Sequence, residues 1–217
     1  MEFLPPKIAC ERLIKNLRSK GISDEQVLDA FRKVPRHLFL DGAMYMQAYD
    51  DNALPIGCGQ TISQPYIVAL MTQLLALKKD EKILEIGTGS GFQTAILAQF
   101  SRRVYTVECQ RELAEIARRR LRGMGYENIV FKQGDGSAGW PQHAPFEKIL
   151  VTAGAPVVPE VLCEQLATGG RMVIPIGDRY GQELVVYDKT EKGFEKRSEC
   201  GVVFVPLVGR HGWQKEE

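Results

Sequence analysis

The stretch Ile83-Leu-Glu-Ile-Gly-Thr-Gly-Ser-Gly91 decides the fold of this chain. Its apolar β-forming residues predict a buried strand, and its three alternate glycines let backbone amides approach a ligand closely before a helix begins. A strand, a turn and a helix of this kind form the first crossover of a doubly wound α/β sheet. The segment therefore predicts a nucleotide-binding turn, with an ordinary tight turn as the alternative.

The acidic residues near this turn indicate which ligand it binds. Glu108 ends the next apolar run, where a carboxylate can accept hydrogen bonds from both hydroxyls of a ribose. The spacing G-x-G-x-G after Glu85 differs from the G-x-G-x-x-G of dinucleotide folds, and an acidic residue beside the turn suits a cationic ligand better than a pyrophosphate. We therefore expect S-adenosylmethionine as the cofactor and S-adenosylhomocysteine as the product. The predicted cofactor contacts are Glu85, Gly87, Thr88, Gly89, Gly91 and Glu108.

A second polar turn follows the third predicted strand at Gly134-Asp-Gly-Ser137. Asp135 can accept a hydrogen bond from the exocyclic amine of adenine, with Gly136 beside it at the same strand end. An Asx turn explains Asp135 equally well, because Asp-Gly is common in turns. The neighbouring Glu108 favours the binding interpretation, so Asp135 and Gly136 join the predicted cofactor site.

Composition narrows the function classes. The chain has 217 residues, is 44% hydrophobic and 25% charged, and carries a net charge of +1, which argues against a nucleic-acid substrate. The arginines between positions 118 and 122 are more typical of a solvated helix face. Five scattered cysteines and three unclustered histidines predict neither a disulfide framework nor a metal site. With no run of eighteen apolar residues and no leader pattern at Met1–Pro6, we expect a cytoplasmic monomer without a membrane partner.

The pattern along the chain predicts a single domain, residues 1–217, in three parts. Residues 1–53 form an N-terminal helical cap with helices near 7–20 and 23–34, the second starting at a capping box. Residues 54–80 hold a turn-rich active-site loop and a helix from Pro65. Residues 81–217 form a Rossmann-like core with a parallel sheet that ends in an antiparallel pair. In the core we expect strands near 82–87, 103–108, 128–133, 147–152, 170–176, 182–188 and 201–205, and helices near 91–100, 110–123 and 159–166.

The predicted site lacks an obvious catalytic side chain. The fourth strand ends in small residues at positions 153–155, and the Asn/Asp-Pro-Pro-aromatic motif of amino-group methylation is missing from the core. Cys109 follows Glu108 and is expected to face away by strand alternation, so a cysteine nucleophile is not indicated. A carboxylate acceptor needs no base, because it is already an anion at neutral pH. The residues alone therefore indicate a methyltransferase with an acidic or otherwise undemanding acceptor.

Several segments together resemble the bacterial form of the protein-L-isoaspartate O-methyltransferase family, from about Ile8 to Trp213. They are Asp51-Asn-Ala-Leu-Pro-Ile-Gly-Cys-Gly-Gln-Thr-Ile-Ser-Gln-Pro65, Leu84–Gly91, Gly134–Ser137, Val151–Ala153 and Gly169–Gly177, with flanking segments at Val34–Phe39 and Val203–His211. The resemblance implies a class I methyltransferase fold. It also implies methylation of the free α-carboxyl of L-isoaspartyl residues in damaged proteins, which starts their repair through a succinimide.

The resemblance also implies roles for the loop Thr61-Ile62-Ser63, which would close over the cofactor and bind the substrate. Ser63 matches the active-site serine of the family, although its spacing before Pro65 alone slightly favours a helix N-cap. Cys58 stands where the family usually has an aromatic residue, and Phe92 replaces a common tyrosine. For Arg36 and His37, packing at a helix end is favoured over contact with substrate.

Two other functions stay open at this point. One is a small-molecule carboxyl or hydroxyl methyltransferase with the same cofactor, and the other is a non-catalytic module that binds an adenosine-containing ligand. The intact loop at residues 61–63 favours the repair enzyme, because a binding module has no need of a serine on the acceptor side.

Overall fold

The computed structural model describes residues 5–214. Two amphipathic helices open this part of the chain, α1 (Pro6–Ser19) and α2 (Glu25–Lys33), as the sequence predicts. Asp24 caps α2, because its side chain accepts hydrogen bonds from the backbone N–H groups of Gln26 and Val27. The cap therefore lies one residue later than the Ser23 of the predicted capping box.

A seven-stranded sheet forms the centre of the molecule, in the order β5-β4-β3-β6-β7-β8-β9. The first five strands in this order are parallel, and β8 and β9 are antiparallel to their neighbours. The doubly wound, Rossmann-like sheet is thus confirmed. The strands are β3 (Lys82–Ile86), β4 (Arg103–Glu108), β5 (Ile129–Gln133), β6 (Phe146–Val151), β7 (Leu166–Gly177), β8 (Gln182–Thr190) and β9 (Gly193–Val202).

Helices cover both faces of the sheet. Side chains alternate along a buried strand, so Ile83 and Leu84 of β3 belong to hydrophobic clusters on opposite faces. The first cluster contains residues of α1, α2, α3 (Pro65–Leu75), α4 (Phe92–Ala98) and α5 (Arg111–Gly123), and the second contains Leu162 of α6 (Glu160–Gln165). Because the first cluster extends from Cys10 to Phe204, the N-terminal helices share one core with the sheet. The predicted division at residues 53 and 80 stays a prediction.

Two elements differ from the prediction. The turn-rich loop forms an antiparallel hairpin, β1 (Leu54–Gly57) and β2 (Gln60–Ile62), closed by Cys58 and Gly59 with φ angles of 50° and 66°. The last strand was predicted at 201–205 but spans Gly193–Val202, so that prediction is wrong. This edge strand is largely exposed and lacks the apolar alternation that marks a buried strand. No helix in the described part of the chain is long and apolar enough to cross a membrane.

Candidate functional site

A cavity lies at the carboxyl ends of β3, β4 and β6, where the chain order in the sheet switches direction. Open α/β sheets bind ligands at such a switch point. The cavity is lined by the segments 60–63, 86–90, 107–110, 152–153 and 205–208, together with Val68, Phe92, Gln93 and Gly136. The structure therefore brings together most of the predicted site, including Thr61, Ile62 and Ser63 from outside the Rossmann-like core.

The glycine turn forms one wall of this cavity. Gly87 and Gly89 have φ angles of 99° and 52°, and a Cβ on Gly87 would collide with the Thr152 hydroxyl. Thr88 lies between them and also lines the cavity. Gly91 does not line it, so its contact with the ligand stays a prediction. A Cβ at Gly91 would lie 2.9 Å from Leu121 Cδ1, so this glycine instead allows α4 and α5 to pack closely.

Glu108 is held rigidly at the end of β4. Its Oε2 accepts a hydrogen bond from the Gly89 N–H at 2.8 Å, and its Oε1 accepts one from the Gln110 N–H at 2.9 Å. The Cys109 thiol also donates to Oε1, at 3.6 Å, so of the roughly four acceptor sites of a carboxylate the one left for a ligand is on Oε2. Among the described residues that line the cavity, Glu108 is the single charged one.

Glu85 lies behind the turn and does not line the cavity, so its contact with the ligand stays a prediction that this geometry does not support. Strand alternation directs its fully buried side chain toward α4, where Oε2 accepts hydrogen bonds from the hydroxyls of Thr94 and Thr106, each at 2.6 Å. The Thr106 hydroxyl in turn lies 2.6 Å from that of Thr88. Burial raises the pKa of Glu85 to about 8. Glu85 thus supports the turn from below through two threonines.

Asp135 and Gly136 are placed differently from each other. Gly136 lines the cavity, whereas the Asp135 carboxylate accepts hydrogen bonds from Ser137 and, at 2.8 Å, from the Arg210 N–H of the C-terminal segment. Asp135 also caps the short 3₁₀ turn Gly136–Ala138. The contact with adenine stays a prediction, because Oδ2 has one described donor and can accept a second.

Ser63 lies just before α3 but does not cap it. Gln64 occupies the N-cap position without a side-chain capping bond, and in the described part of the chain the Ser63 hydroxyl has no hydrogen-bond partner. The Ser63 carbonyl, by contrast, accepts a hydrogen bond from Arg36 Nη2 at 2.9 Å. The helix-cap alternative therefore has no support here, and the hydroxyl is free for a ligand.

A second cavity adjoins the first and shares Thr61, Ser63, Thr152 and Val205 with it. The rest of its lining comes from Asn52, Ala53, Gln64, Ile67 and the segment 201–204. The Thr152 hydroxyl is oriented by the carbonyls of Ile86 and Gly87, at 2.9 and 2.8 Å. All described residues of this lining are uncharged, so a ligand here would meet hydroxyls, amides and backbone.

Sequence reasoning missed several of these residues. Cys109 lines the first cavity instead of facing away, because it follows the last residue of β4 and strand alternation no longer applies. Burial and the neighbouring Glu108 raise the pKa of its thiol to about 11, so it is protonated at neutral pH. Thr152 and the segment 205–208 lie in segments that resemble the family, but the sequence assigned them no role at the site. Only the topology of the sheet brings them to the site.

The two other candidates near the cap pack as predicted. His37 Nδ1 lies 2.7 Å from the Tyr49 hydroxyl, its ring packs edge-on against Tyr45, and burial lowers its pKa. Arg36 is buried and does not line either cavity. In the described part of the chain no group of three or more His, Cys, Asp or Glu side chains could hold a metal.

Comparison with known proteins agrees with this geometry. Residues 9–212 match the family model of protein-L-isoaspartate(D-aspartate) O-methyltransferase. The protein-L-isoaspartate O-methyltransferase 1 of Syntrophobacter fumaroxidans is 54% identical over 95% of this chain and 97% of its own length. The protein-L-isoaspartate O-methyltransferase of Dictyoglomus turgidum is 51% identical over 98% of both chains.

Solved structures give the same result. A protein-L-isoaspartate O-methyltransferase structure superposes with a TM-score of 0.84 at 32% identity, over 94% of this chain and 67% of its own. A Plasmodium falciparum structure assigned to the same activity, in complex with S-adenosyl-L-homocysteine, has a TM-score of 0.79 at 26% identity over 91% of this chain and 97% of its own. The glycine turn, Glu108 and the Ser63 loop thus lie in a chain that belongs to the protein-L-isoaspartate O-methyltransferase family.

Proposed function

We propose that this chain transfers the methyl group of S-adenosylmethionine to the free α-carboxyl of L-isoaspartyl residues, and that its two cavities divide this work. The observation that carries the proposal is the wall shared by the cavities, formed by Thr61, Ser63, Thr152 and Val205. A cofactor in the first cavity and an acceptor in the second would meet beside these residues. Transfer between two bound groups needs such a meeting point.

The first cavity has the chemistry that S-adenosylmethionine requires. Its one charged lining residue in the described chain, Glu108, complements a sulfonium and an ammonium, and it can accept from a ribose hydroxyl. Ile86, Phe92 and Leu207 offer apolar surface to the adenine. We assign the backbone of residues 87–89 to the amino-acid part of the cofactor, and the Asp135-Gly136 turn to the base. A cavity without a lining cation would serve a pyrophosphate poorly.

The second cavity suits an extended peptide that carries the acceptor. The segment 201–205, which includes the last two residues of β9, lies along it, and Val203 is 77% exposed. An isoaspartyl residue presents its α-carboxylate on a short branch from a rerouted backbone. The uncharged lining leaves the hydroxyls of Thr61 and Ser63 to donate to it, because the Thr152 hydroxyl already donates to the carbonyls of Ile86 and Gly87. Ser63 is our choice for the catalytic residue, because its hydroxyl has no other hydrogen-bond partner in the described structure.

The chain's part in the reaction is mostly positioning. When bound, S-adenosylmethionine supplies a methyl group on a sulfonium that departs as a neutral thioether. The acceptor carboxylate, with an unperturbed pKa of about 4, is already ionised at neutral pH, so no residue has to remove a proton. Ser63 donates to one carboxylate oxygen and leaves the other to attack the methyl carbon in line, and such a charge-assisted hydrogen bond contributes about 1.5–3 kcal/mol. The ester is then attacked by the neighbouring peptide nitrogen, which expels methanol and gives the succinimide.

A pair of matched peptides tests this function. The chain is incubated with methyl-labelled S-adenosylmethionine and either an isoaspartyl peptide or its normal aspartyl isomer. We expect label only in the isoaspartyl peptide, because both carboxylates are ionised and only backbone geometry distinguishes them. Equal labelling of the isomers would remove the repair assignment. Labelling of a small carboxylic acid in place of either peptide would favour the small-molecule alternative.

We also propose that the chain acts as a cytoplasmic monomer. The five cysteines are all free thiols, which suits a reducing compartment. Size-exclusion chromatography with light scattering at the assay concentration tests the monomer. A stable dimer would contradict it.

A further inference from the structure

Arg36 is a buried cation whose burial needs an explanation. It begins the 3₁₀ turn Arg36–Phe39 and is only 1% exposed. Among the described residues no carboxylate lies within ion-pair distance of it, and a buried unpaired charge costs stability. Burial lowers its pKa to about 9, which still leaves the guanidinium charged at neutral pH.

The partners of Arg36 are main-chain carbonyls. Its Nε donates to the Ala48 carbonyl and its Nη2 to the Ser63 carbonyl, both at 2.9 Å. Its Nη1 is buried without a hydrogen-bond partner in the described structure. A leucine or methionine would fill this space without leaving a donor unsatisfied, so packing alone does not account for an arginine here.

Arg36 also touches the cofactor side of the site. Its Cζ lies 4.9 Å from the centroid of the Phe92 ring, a geometry that stabilises a cation over an aromatic face. Phe92 lines the first cavity and begins α4, directly after the glycine turn. The guanidinium therefore lies between the loop at residues 61–64, called the acceptor loop below, and the first turn of α4.

The N-terminal part of the chain also holds the acceptor loop through Asp51. Gln64 Nε2 donates to the Asp51 carbonyl at 2.9 Å, and the Tyr66 N–H donates to Asp51 Oδ1 at 2.8 Å. Of these tethers, the bond from Arg36 is the one made to Ser63 itself. Its loss would free the peptide unit that carries the Ser63 side chain while α3 stays anchored.

We propose that Arg36 is a positioning residue for methyl transfer: by holding the Ser63 carbonyl, it sets the place of the Ser63 hydroxyl at the wall shared by the two cavities. The inference rests on the proposed role of Ser63. A displacement of about 1 Å in a group that orients the acceptor can lower the rate by about a hundredfold. A hydrogen bond that fixes the backbone of Ser63 is therefore important for the rate.

Two substitutions with a matched control test this inference. Arg36→Met removes both donors at similar volume, and Arg36→Lys keeps the charge but offers one ammonium in place of the planar fork. The control is Arg171→Met. Arg171 likewise donates to a main-chain carbonyl, that of Leu74 at 3.0 Å. It differs in forming an ion pair with Asp188 at 2.6 Å, and it lies opposite Lys148 in the β6–β7 ladder, away from the carboxyl ends of the parallel strands.

The readouts separate positioning from stability. We expect Arg36→Met to lower kcat on the isoaspartyl peptide by about ten- to a hundredfold, with the Kd for S-adenosylhomocysteine within about twofold of wild type. Arg36→Lys should lower kcat by a smaller factor than Arg36→Met. Arg171→Met should lower the melting temperature and leave kcat within about twofold, because it perturbs packing away from the site.

A double-mutant cycle with Ser63→Ala gives the decisive result. If Arg36 acts through Ser63, Arg36→Met should cost much less in the Ser63→Ala background than in wild type. Losses that multiply, or a folded Arg36→Met protein with wild-type kcat, would overturn the inference. Should Arg36→Met fail to fold, Arg36→Lys enters the same cycle, and wild-type kcat in that variant also counts against it. A wild type inactive on the isoaspartyl peptide would instead refute the proposed function.

Discussion

The glycine turn after β3 and the loop before α3 form facing parts of one cavity, yet they are held in different ways. The turn is fixed by bonds within the core: the Gly87 N–H donates to the Val107 carbonyl at 2.9 Å, and the Gly89 N–H donates to Glu108. The loop is fixed by a residue distant in sequence, because Arg36 holds the carbonyl of Ser63 across 27 positions. The cofactor side is therefore local in sequence, whereas the acceptor side depends on the N-terminal cap.

The cap contacts the cofactor side as well, but more weakly. Arg120 of α5 donates to the Ser90 carbonyl at 3.1 Å, and its guanidinium lies 5.8 Å from the ring centroid of Phe39 and 3.6 Å from Asp41. Asp41 is exposed, so this ion pair contributes little. The N-terminal residues thus contact both sides of the cavity, but their direct hydrogen bond to the proposed catalytic residue, Ser63, is on the acceptor side.

The largest expected effect tests whether the cofactor side depends on Glu108. Glu108→Ala removes the predicted acceptor of the ribose hydroxyls together with the acceptor of the Gly89 N–H, so it should weaken S-adenosylhomocysteine by about 2–4 kcal/mol. Isothermal titration calorimetry measures this change. Glu115→Ala, which removes an exposed carboxylate of α5, serves as the control. Unchanged affinity in a folded Glu108→Ala protein would show that the ribose is bound elsewhere.

The next effect tests the acceptor side in isolation. Ser63→Ala should lower kcat/KM for the isoaspartyl peptide by roughly ten- to a hundredfold, the worth of one charge-assisted hydrogen bond. The affinity for S-adenosylhomocysteine and the melting temperature should stay close to wild type, because the hydroxyl makes no capping bond. Ser198→Ala on the exposed edge strand is the control. A fully active but clearly less stable Ser63→Ala protein would reduce this serine to a structural residue.

The same contrast explains how much the sequence could predict. The order of elements and the cavity-lining residues Gly87, Thr88, Gly89 and Glu108 follow from local patterns: a strand period, alternate glycines and an acid at a strand end. These features lie within a single strand–helix–strand unit, from β3 to the end of β4. The N-terminal helices were equally clear from their apolar spacing.

What could not be predicted depends on contacts between distant segments. Periodicity does not show that Thr152 orients toward the glycine turn, or that residues 201–208 close both cavities. The hydrogen bonds of Glu85 could not be predicted for a related reason, because the charge of the acid before the turn does not show on which face of β3 it lies. The role of Arg36 depends on a single bond across 27 positions of sequence.

A smaller effect tests how the turn is supported from beneath. The pKa of Glu85 is raised from 4.5 to about 8, so between these pH values the folded chain keeps a proton that the unfolded chain has lost. Stability should therefore fall as pH rises through this window, by at most about 1.4 kcal/mol per pH unit. Glu85→Gln removes this contribution. Urea unfolding at pH 5.5, 6.5 and 7.5 should show a smaller loss for the variant, and equal slopes would mean that Glu85 is already ionised in the folded chain.

The smallest effect concerns Asp135, where the cofactor side also depends on a distant segment. Asp135 accepts a hydrogen bond from the Arg210 N–H at 2.8 Å, and the Ser137 hydroxyl accepts one from the His211 N–H at 2.9 Å. Both residues therefore hold the C-terminal segment, whose residues 205–208 line the first cavity. If Asp135 also accepts from the adenine amine, wild type should prefer S-adenosylhomocysteine over its inosyl analogue, which lacks that donor, by about 1 kcal/mol. Asp135→Ala should lose this preference. Ser137→Ala loosens the same segment but keeps the carboxylate, so it should retain the preference while weakening both ligands. Equal binding of the two ligands by wild type would leave Asp135 as the cap of its 3₁₀ turn alone, and the base would then be recognised by the backbone and the apolar wall.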